Sequence, residues 1–540
     1  MKDISSTGSF INFYLNNYIY VDKTQYIRDL IKLERVFISR PRRFGKSLTL
    51  DTIATLFETG VEPYFKGTWI YDKWTEPTYP VLRLNFLDLD KYSLEHFKQK
   101  LNAIISSFAR DINVKNYEEK VEPEDTIYFL LDELRKEKRQ IVILIDEYDC
   151  QMTANINNET LYKQFQEKIK SFYATIKNKW PIKFLGITGV TRLKDVEIFS
   201  IGSDIRDITN ASAYSQMIGF TRDEIKKYYI DYLKLASSYE NSCSVDNVTD
   251  EQIESLLDRL AKNYDGYCFD EFYKKKVFST WSVNSFFQSI IENKFVDFGD
   301  YWYDNGGLPS ILVNYLKTHE LNIFDYLYKD KSLKVTDDDF KNPTALTSMN
   351  QNVLMCQIGY LTLRSSLNDS NIIALGIPNG EIYKALNKLL AAKFFKGKID
   401  VTNDVNENIL DVGSVEDIIS LLNTMVNTVT YDAYPLNSES AVQNYVKAYL
   451  LGAKQTVSSE VHQAKGRADL MIETNKRRIV FEFKYAQNET EAKIKLNEAV
   501  EQIKTRDYGN ILPKKAELLR IAAVFNADPK VRAFTLSQQV

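Results

Sequence analysis

The stretch Arg35-Val-Phe-Ile-Ser-Arg-Pro-Arg-Arg-Phe-Gly-Lys-Ser47 decides how the rest of the chain is read. Val36, Phe37 and Ile38 suit a buried strand, and beyond a turn ending Gly-Lys-Ser the apolar residues Leu48, Leu50, Ile53 and Leu56 recur at helical spacing. A turn in that position presents backbone N–H groups and the positive end of a helix dipole, which favour phosphate oxygens. This predicts a phosphate-binding loop made of Arg42, Arg43, Phe44, Gly45, Lys46 and Ser47. Gly45 allows close backbone approach, Lys46 meets the β/γ-phosphates, and Ser47 offers a hydroxyl to Mg2+. The first glycine of the usual pattern is absent, and Arg40 stands there, followed by Pro41. A basic strand-to-helix turn that binds nothing is the plainer reading of the same residues.

A second stretch favours the phosphate reading. Ile141-Val-Ile-Leu-Ile-Asp-Glu-Tyr-Asp149 is a continuous apolar run ending in carboxylates, as expected of a parallel strand buried on both faces. Asp146 is placed to hold Mg2+, and Glu147 to orient or activate the attacking water. Between the two motifs, Val81 to Phe86 reads as a strand and Leu94 to Phe108 as an amphipathic helix; residues 159 to 178 read as a further helix. Lys183 to Arg192 gives one more strand, with Thr188, Thr191 and Arg192 at its exit. There they would either sense a γ-phosphate or simply satisfy a strand end. Asp22 or Thr24 caps a helix through Ile27 and Leu30, placing Tyr20 to Thr24 near the nucleotide base.

Length and composition set the frame. A chain of 540 residues exceeds one core, and 44% hydrophobic with 26% charged residues is ordinary for a globular protein. A net charge of −4 excludes a uniformly basic nucleic-acid coat and leaves room for a regional basic surface. Cys150, Cys243, Cys268 and Cys356 lack metal spacing, and His96, His319 and His462 are far apart, so a catalytic metal would lean on carboxylates. No apolar run spans a bilayer, and the start lacks a secretory pattern; a soluble, cytoplasmic protein with no membrane partner is expected.

Residues 1–215 are therefore assigned to the nucleotide-binding core. From 216 the chain turns helical, with capping boxes at Thr221 to Glu224 and Thr249 to Gln252. The aromatic residues Tyr264, Tyr267, Phe269, Trp281 and Tyr301 to Tyr303 could stack bases, but with little basic interleaving they are read as core packing. Leu354 to Phe395 follows a helix, strand, strand, helix order that suits a winged-helix-like unit, and a boundary near 430 closes a lid spanning 216–430.

The remainder, 431–540, carries a second charged cluster. Asn437 or Ser438 caps a helix with Glu439 in its first turn, and strands at 456–461, 466–472, 478–484 and 519–525, with a helix at 491–505, give an αβββαβ order. Glu482 and Lys484 lie two apart and share a strand face, and a hairpin brings Asp469 alongside. The carboxylates can hold a divalent cation through oxygen, and the lysine can polarise water or stabilise a pentacoordinate phosphate, which is what phosphodiester hydrolysis needs. Exposed Glu/Lys pairs are also everyday surface chemistry; the bulky apolar neighbours of Glu482 and Lys484 argue for a central strand instead.

Taken together, these motifs resemble bacterial AAA-ATPase-like proteins carrying a C-terminal PD-(D/E)XK nuclease-like domain. The resemblance rests on Tyr20-Val-Asp-Lys-Thr24, Arg40-Pro-Arg-Arg-Phe-Gly-Lys-Ser47, Ile145-Asp-Glu-Tyr-Asp149, Gly189-Val-Thr-Arg192, Tyr264-Asp-Gly-Tyr267, Gly359-Tyr-Leu-Thr362 with Ile377-Pro-Asn379, and Gly466-Arg-Ala-Asp469 with Glu482-Phe-Lys484. It implies an α/β chain: a P-loop NTPase core, a helical and winged-helix-like lid, and a restriction-endonuclease-like α/β domain. In that domain Asp469, Glu482 and Lys484 match the nuclease signature, and Gln502 and Tyr508 a further helix motif. It also implies ATP with Mg2+, Mn2+ as an alternative at the nuclease centre, DNA ahead of RNA as substrate, nucleotide-dependent homo-oligomers, and roles in anti-phage or mobile-element defence. The alternative function is a nucleotide-dependent switch or scaffold whose nuclease-like domain only binds nucleic acid or protein.

Overall fold

The computed structural model describes residues 1–177, 179–193, 204–304, 310–316, 319, 326, 331–343, 345–366, 371–394, 407–427, 435–452, 456–463, 466–474, 476–510 and 517–540. The chain forms two compact units. One comprises Met1–Leu321 with Asp330–Ile382, the other Tyr383–Val540 with Asn322–Lys329.

The first unit is built on a five-stranded parallel sheet of β1 (Arg35–Ser39), β2 (Val81–Asn85), β3 (Ile141–Asp146), β4 (Ile182–Gly189) and β5 (Arg206–Asp207), in the order β2-β3-β4-β1-β5. β1 is buried along its whole length and β3 up to its final residue, which explains why both read as unbroken apolar runs. β4 lies between the strand that feeds the Gly-Lys-Ser turn and the strand that ends in Asp146. The C-terminal ends of all three therefore open onto the same sheet edge. Where β3 and β4 end together, Gly189 leaves room that a side chain would need: a methyl there would overlap the Tyr148 ring and come within 2.8 Å of Asp149 Oδ1.

Both expected capping boxes form, on the helices Arg222–Tyr228 and Asp250–Tyr264. Behind them, Tyr264 shares one buried core with Tyr229, Tyr232, Phe286 and Phe287, and Tyr301 packs against it; Tyr267 and Trp302 are buried elsewhere. A short β6 (Tyr267–Cys268) and β7 (Lys276–Val277) pair antiparallel. The winged-helix-like order is present as the helix Gln351–Gln357, β9 (Thr362–Ser366), β10 (Ile372–Gly376) and the helix Gly380–Phe394. A third strand, β8 (Leu333–Thr336), pairs with β10 and went unread because only four residues carry it.

In the second unit the sheet runs β11 (Thr456–Gln463), β12 (Gly466–Glu473), β13 (Arg477–Ala486), β14 (Glu517–Asn526), β15 (Ala533–Gln539) in spatial order, with β13 and β14 parallel and the other pairs antiparallel. β13 is the central strand. One core gathers Phe481, Phe483, Ile521 and Phe525 with Tyr445 and Tyr449, and another gathers Val480 and Ala522 with Val500, Ile503 and Tyr508 of and beyond the helix Glu489–Arg506.

The helix just before the expected boundary near 430 packs with the residues that follow it. The helix Val415–Asn427 buries Ile418, Leu422 and Met425 in the same core as Phe481 and Phe525, and Asn423 exchanges hydrogen bonds with the backbone of Phe534. The division at 215 falls inside the first unit.

Candidate functional site

The Gly-Lys-Ser turn leads into the helix Lys46–Thr59. Gly45 adopts φ 102°, a left-handed conformation suited to glycine, and no side chain caps the helix start. A helix N-terminus left without a capping oxygen offers its N–H groups to an anion. The loop residues Arg42 to Ser47 line a cavity of about 370 Å³ together with Glu147, Tyr20, Val21 and Lys23. That volume is in the range of small-molecule sites.

Charge is arranged at its floor. Ser47 Oγ donates to Asp146 Oδ2 at 2.6 Å, and the Thr188 hydroxyl donates to Asp146 Oδ1. Lys46 Nζ is buried 3.5 Å from Glu147 Oε1 and donates to the carbonyls of Arg40 at 3.1 Å and Pro41 at 3.3 Å. Asp146, Glu147, Lys46 and Ser47 thus converge. All the ligand atoms offered are oxygens, the donor set Mg2+ prefers.

Thr191 and Arg192 do not line this cavity. The backbone N–H of Thr191 donates to Asp149 Oδ2 at 2.7 Å and its hydroxyl donates to the same oxygen, while Arg192 Nε pairs with Asp207 at 2.5 Å. Asp149 is fully buried, and burial, with the Glu147 charge second, raises its carboxyl above the ordinary range. Tyr148 OH completes the brace by donating to Thr191 O and accepting from Leu193 N.

Sequence reasoning missed Trp281 and the N-terminal segment Ser5 to Gly8, which also line the cavity. The Arg43 guanidinium lies 4.0 Å from the centre of the Trp281 ring, and Thr280 Oγ1 donates to Arg43 O at 2.9 Å. Trp281 was legible as an aromatic but not as a cavity wall, because nothing near it in the chain distinguishes it from the core residues Phe286 and Phe287.

The second site sits on β12 and β13. Phe483 N–H donates to Asp469 Oδ2 at 2.8 Å, and Lys484 Nζ donates to Glu482 Oε1 at 2.8 Å. Glu482 is 0% exposed, and its Oε2 has no hydrogen-bond partner among the described residues. Glu439, in the first turn of the helix Glu439–Gly452, stands 3.8 Å from Lys484 Nζ. Ser438 caps that helix by accepting from Ala441 N at 3.2 Å. Gln502 Nε2 and Arg506 Nη1 both donate to the hydroxyl of buried Tyr508, at 3.4 and 3.1 Å. Arg506, which the motif reading passed over, interacts electrostatically with both Asp469 and Glu482.

Burial pushes the Asp469 carboxyl up to about 6, and burial reinforced by the Asp469 charge pushes Glu482 up to about 7. Burial works against the Lys484 charge, but the hydrogen bond and attraction from Glu482 outweigh it and raise that group above its ordinary value. A pair of crowded carboxylates, one with an orphaned buried oxygen, suits a divalent cation. Among the described residues no group of three or more His, Cys, Asp or Glu is placed to enclose a metal ion. A cation here would complete its shell with water and phosphate oxygens, as Mg2+ commonly does.

The raised carboxyls predict a pH effect. An acid whose folded-state value lies above its unfolded value contributes stability that is present below the unfolded value and lost as pH rises through the folded one. For Glu482 that window is pH 4.5 to about 7. The metal-free Glu482→Gln variant should therefore match wild type in thermal unfolding near pH 5 and exceed it at pH 8 by roughly 2–3 kcal/mol. Equal stability of the two at pH 8 would refute the assignment.

An open helix start with a lysine and two carboxylates at a parallel sheet edge has the arrangement of a P-loop nucleotide site, and the β12–β13 cluster has the arrangement of a restriction-endonuclease-like centre. Comparison with known families agrees: residues 5–199 match the model described as a predicted AAA-ATPase, and residues 437–534 match the PD-(D/E)XK nuclease superfamily. The two matches fall in the order of an AAA-ATPase-like region followed by a C-terminal PD-(D/E)XK nuclease-like region. A relative from Azotobacter chroococcum mcd 1, described as an uncharacterized protein in the vnfD 5' region, is 24% identical over 533 residues, covering 95% of this chain and 94% of the relative. Solved structures that resemble the chain include Cdc6p from Pyrobaculum aerophilum (12% identity, 68% of this chain, 93% of that one, TM-score 0.25) and the Aeropyrum pernix ORC1 protein in complex with DNA (10%, 70%, 96%, 0.27). No helix among the described residues is long and apolar enough to cross a membrane.

Proposed function

We propose that the protein binds and hydrolyses ATP in its first unit and uses nucleotide state to control a metal-dependent phosphodiesterase in its second, with DNA ahead of RNA as substrate. The observation that carries the reading is the convergence of Asp469, Glu482 and Lys484 around an unpaired buried Glu482 oxygen, in a chain that also assembles Lys46, Ser47, Asp146 and Glu147.

At the nucleotide site, Lys46 exchanges its two carbonyl partners for β/γ-phosphate oxygens, and the first-turn N–H groups receive the remaining charge. Ser47 and Asp146 are the residues that would hold Mg2+, which would supply neutralisation of the triphosphate charge. Glu147, at φ 51°, presents its carboxylate beside Lys46 and orients the attacking water. At the second site Asp469 and Glu482 would hold Mg2+ or Mn2+, which supplies Lewis-acid polarisation of the phosphodiester. Lys484 stabilises the negative charge that develops on the phosphoryl oxygens, and Glu439 keeps the ammonium oriented.

Incubating the full-length protein with plasmid, linear duplex, single-stranded DNA and RNA, with and without ATP and with Mg2+ or Mn2+, tests the proposal. Metal-dependent DNA cleavage whose rate responds to ATP is expected. Intact substrates in every condition would overturn it. The same samples, run by size-exclusion with and without ATP, report on nucleotide-dependent self-association, and phage plating efficiency reports on a defensive role.

A further inference from the structure

Arg40 occupies the position where phosphate-binding loops usually carry their first glycine, yet its backbone does not require one: it is not among the residues with left-handed φ. Its side chain turns away from the nucleotide cavity and is 1% exposed. Nη1 donates to Ser39 O at 2.9 Å and to Thr209 O at 2.5 Å, and the guanidinium carbon lies 4.1 Å from the centre of the Phe269 ring. Nε and Nη2 have no hydrogen-bond partner among the described residues. Burial pulls the group down to about 9, so it remains charged at neutral pH.

A buried cation with the N–H groups of Nε and Nη2 unmet is costly, and a plain loop residue would not be expected to carry that cost. What the contacts accomplish is attachment. The Arg40 carbonyl is one of the two that hold Lys46 Nζ. Beside it, a side chain at Gly359 would come within 2.9 Å of Pro41, and Phe44 packs edge-on against Tyr267 and Phe269 at 4.7 and 5.6 Å. The loop is thereby gripped from the lid side by Tyr267, Phe269 and Gly359 and from the β5 exit by Thr209.

We propose that Arg40 is the positioning residue of the nucleotide loop: clamped between the Phe269 ring and the Thr209 carbonyl, it fixes the carbonyl that seats Lys46 and ties the loop to the lid. The inference rests on the nucleotide-binding reading above. Arg40 touches no phosphate; it acts through Lys46 and through the shape of the Arg40–Pro41 turn.

The test uses full-length wild type, Arg40→Gly, Arg40→Lys and Phe269→Leu, with circular dichroism to confirm folding. A fluorescent N-methylanthraniloyl ATP reports affinity, and steady-state hydrolysis separates KM from kcat. Arg40→Gly restores the usual glycine, so a loop indifferent to this side chain would bind as well or better. The clamp predicts instead that affinity weakens about tenfold, since a small displacement of a reacting group has large effects. Arg40→Lys should recover part of the loss, because a charge remains without the planar fork and its ring face. Phe269→Leu, which leaves Arg40 in place, should raise KM in the same direction by a smaller factor. Should Arg40→Gly fail to fold, Phe269→Leu decides: an unchanged KM there overturns the clamp, and a raised KM supports it. Wild-type affinity in folded Arg40→Gly overturns the clamp alone, whereas a wild-type protein that binds no nucleotide overturns both the clamp and the nucleotide reading.

Discussion

Asp469→Asn and Glu482→Gln are each expected to reduce metal-dependent phosphodiester cleavage by about 10²–10³-fold while leaving nucleotide binding intact. The two carboxylates converge, and each contributes differently. Asp469 is oriented by the Phe483 N–H, and Glu482 by Lys484, which leaves Oε2 as the uncommitted oxygen. Removing either charge halves the carboxylate pair available to a divalent cation, and since the described residues form no group of three or more His, Cys, Asp or Glu able to hold a metal ion, metal affinity should fall with activity. Lys484→Met should lower turnover with less effect on metal binding, because the ammonium answers charge that appears only as the phosphorus is attacked. Isothermal titration with Mn2+ beside a cleavage assay checks both. Undiminished cleavage by Asp469→Asn would place the chemistry elsewhere.

The second large effect is at the other end of the chain. Lys46→Ala should weaken ATP binding by two orders of magnitude or more, roughly the cost of losing a buried charged partner of a polyanion. Glu147→Gln should behave differently: binding is retained, even strengthened by the removal of a negative group 3.5 Å from Lys46, while hydrolysis falls by about 10²-fold. Equilibrium binding of a fluorescent nucleotide and phosphate release distinguish the two variants. If Glu147→Gln hydrolyses at the wild-type rate, Glu147 is not the group that handles the attacking water.

Much of this was legible because each feature announced itself within a few residues. β1 and β3 are buried on both faces, so their sequences are unbroken apolar runs, and the groups at their ends follow by chain connectivity. Glu482 and Lys484 were readable for a related reason: a central strand flanked by Phe481 and Phe483 leaves polar residues little excuse unless they have work to do. What escaped notice depends on contacts across long separations. Trp281 reaches Arg43 only through the tertiary fold, and Thr191 is bound to Asp149 across 42 positions, which pattern reading has no means to weigh. β8 and β15 were missed because short or partly exposed strands carry weak alternation.

The place of the helix Val415–Asn427 has a practical consequence for anyone wishing to isolate the nuclease-like part. A fragment begun at residue 431 would be severed through its own interior, stripped of Ile418, Leu422 and Met425 and of the Asn423 tie to β15. Such a truncation would leave a greasy scar over Phe481 and Phe525, inviting clumping whatever the state of the catalytic residues. The cut belongs upstream of Glu407, where Leu410 joins that same core and the Ile409 and Leu410 carbonyls receive the buried guanidinium of Arg477.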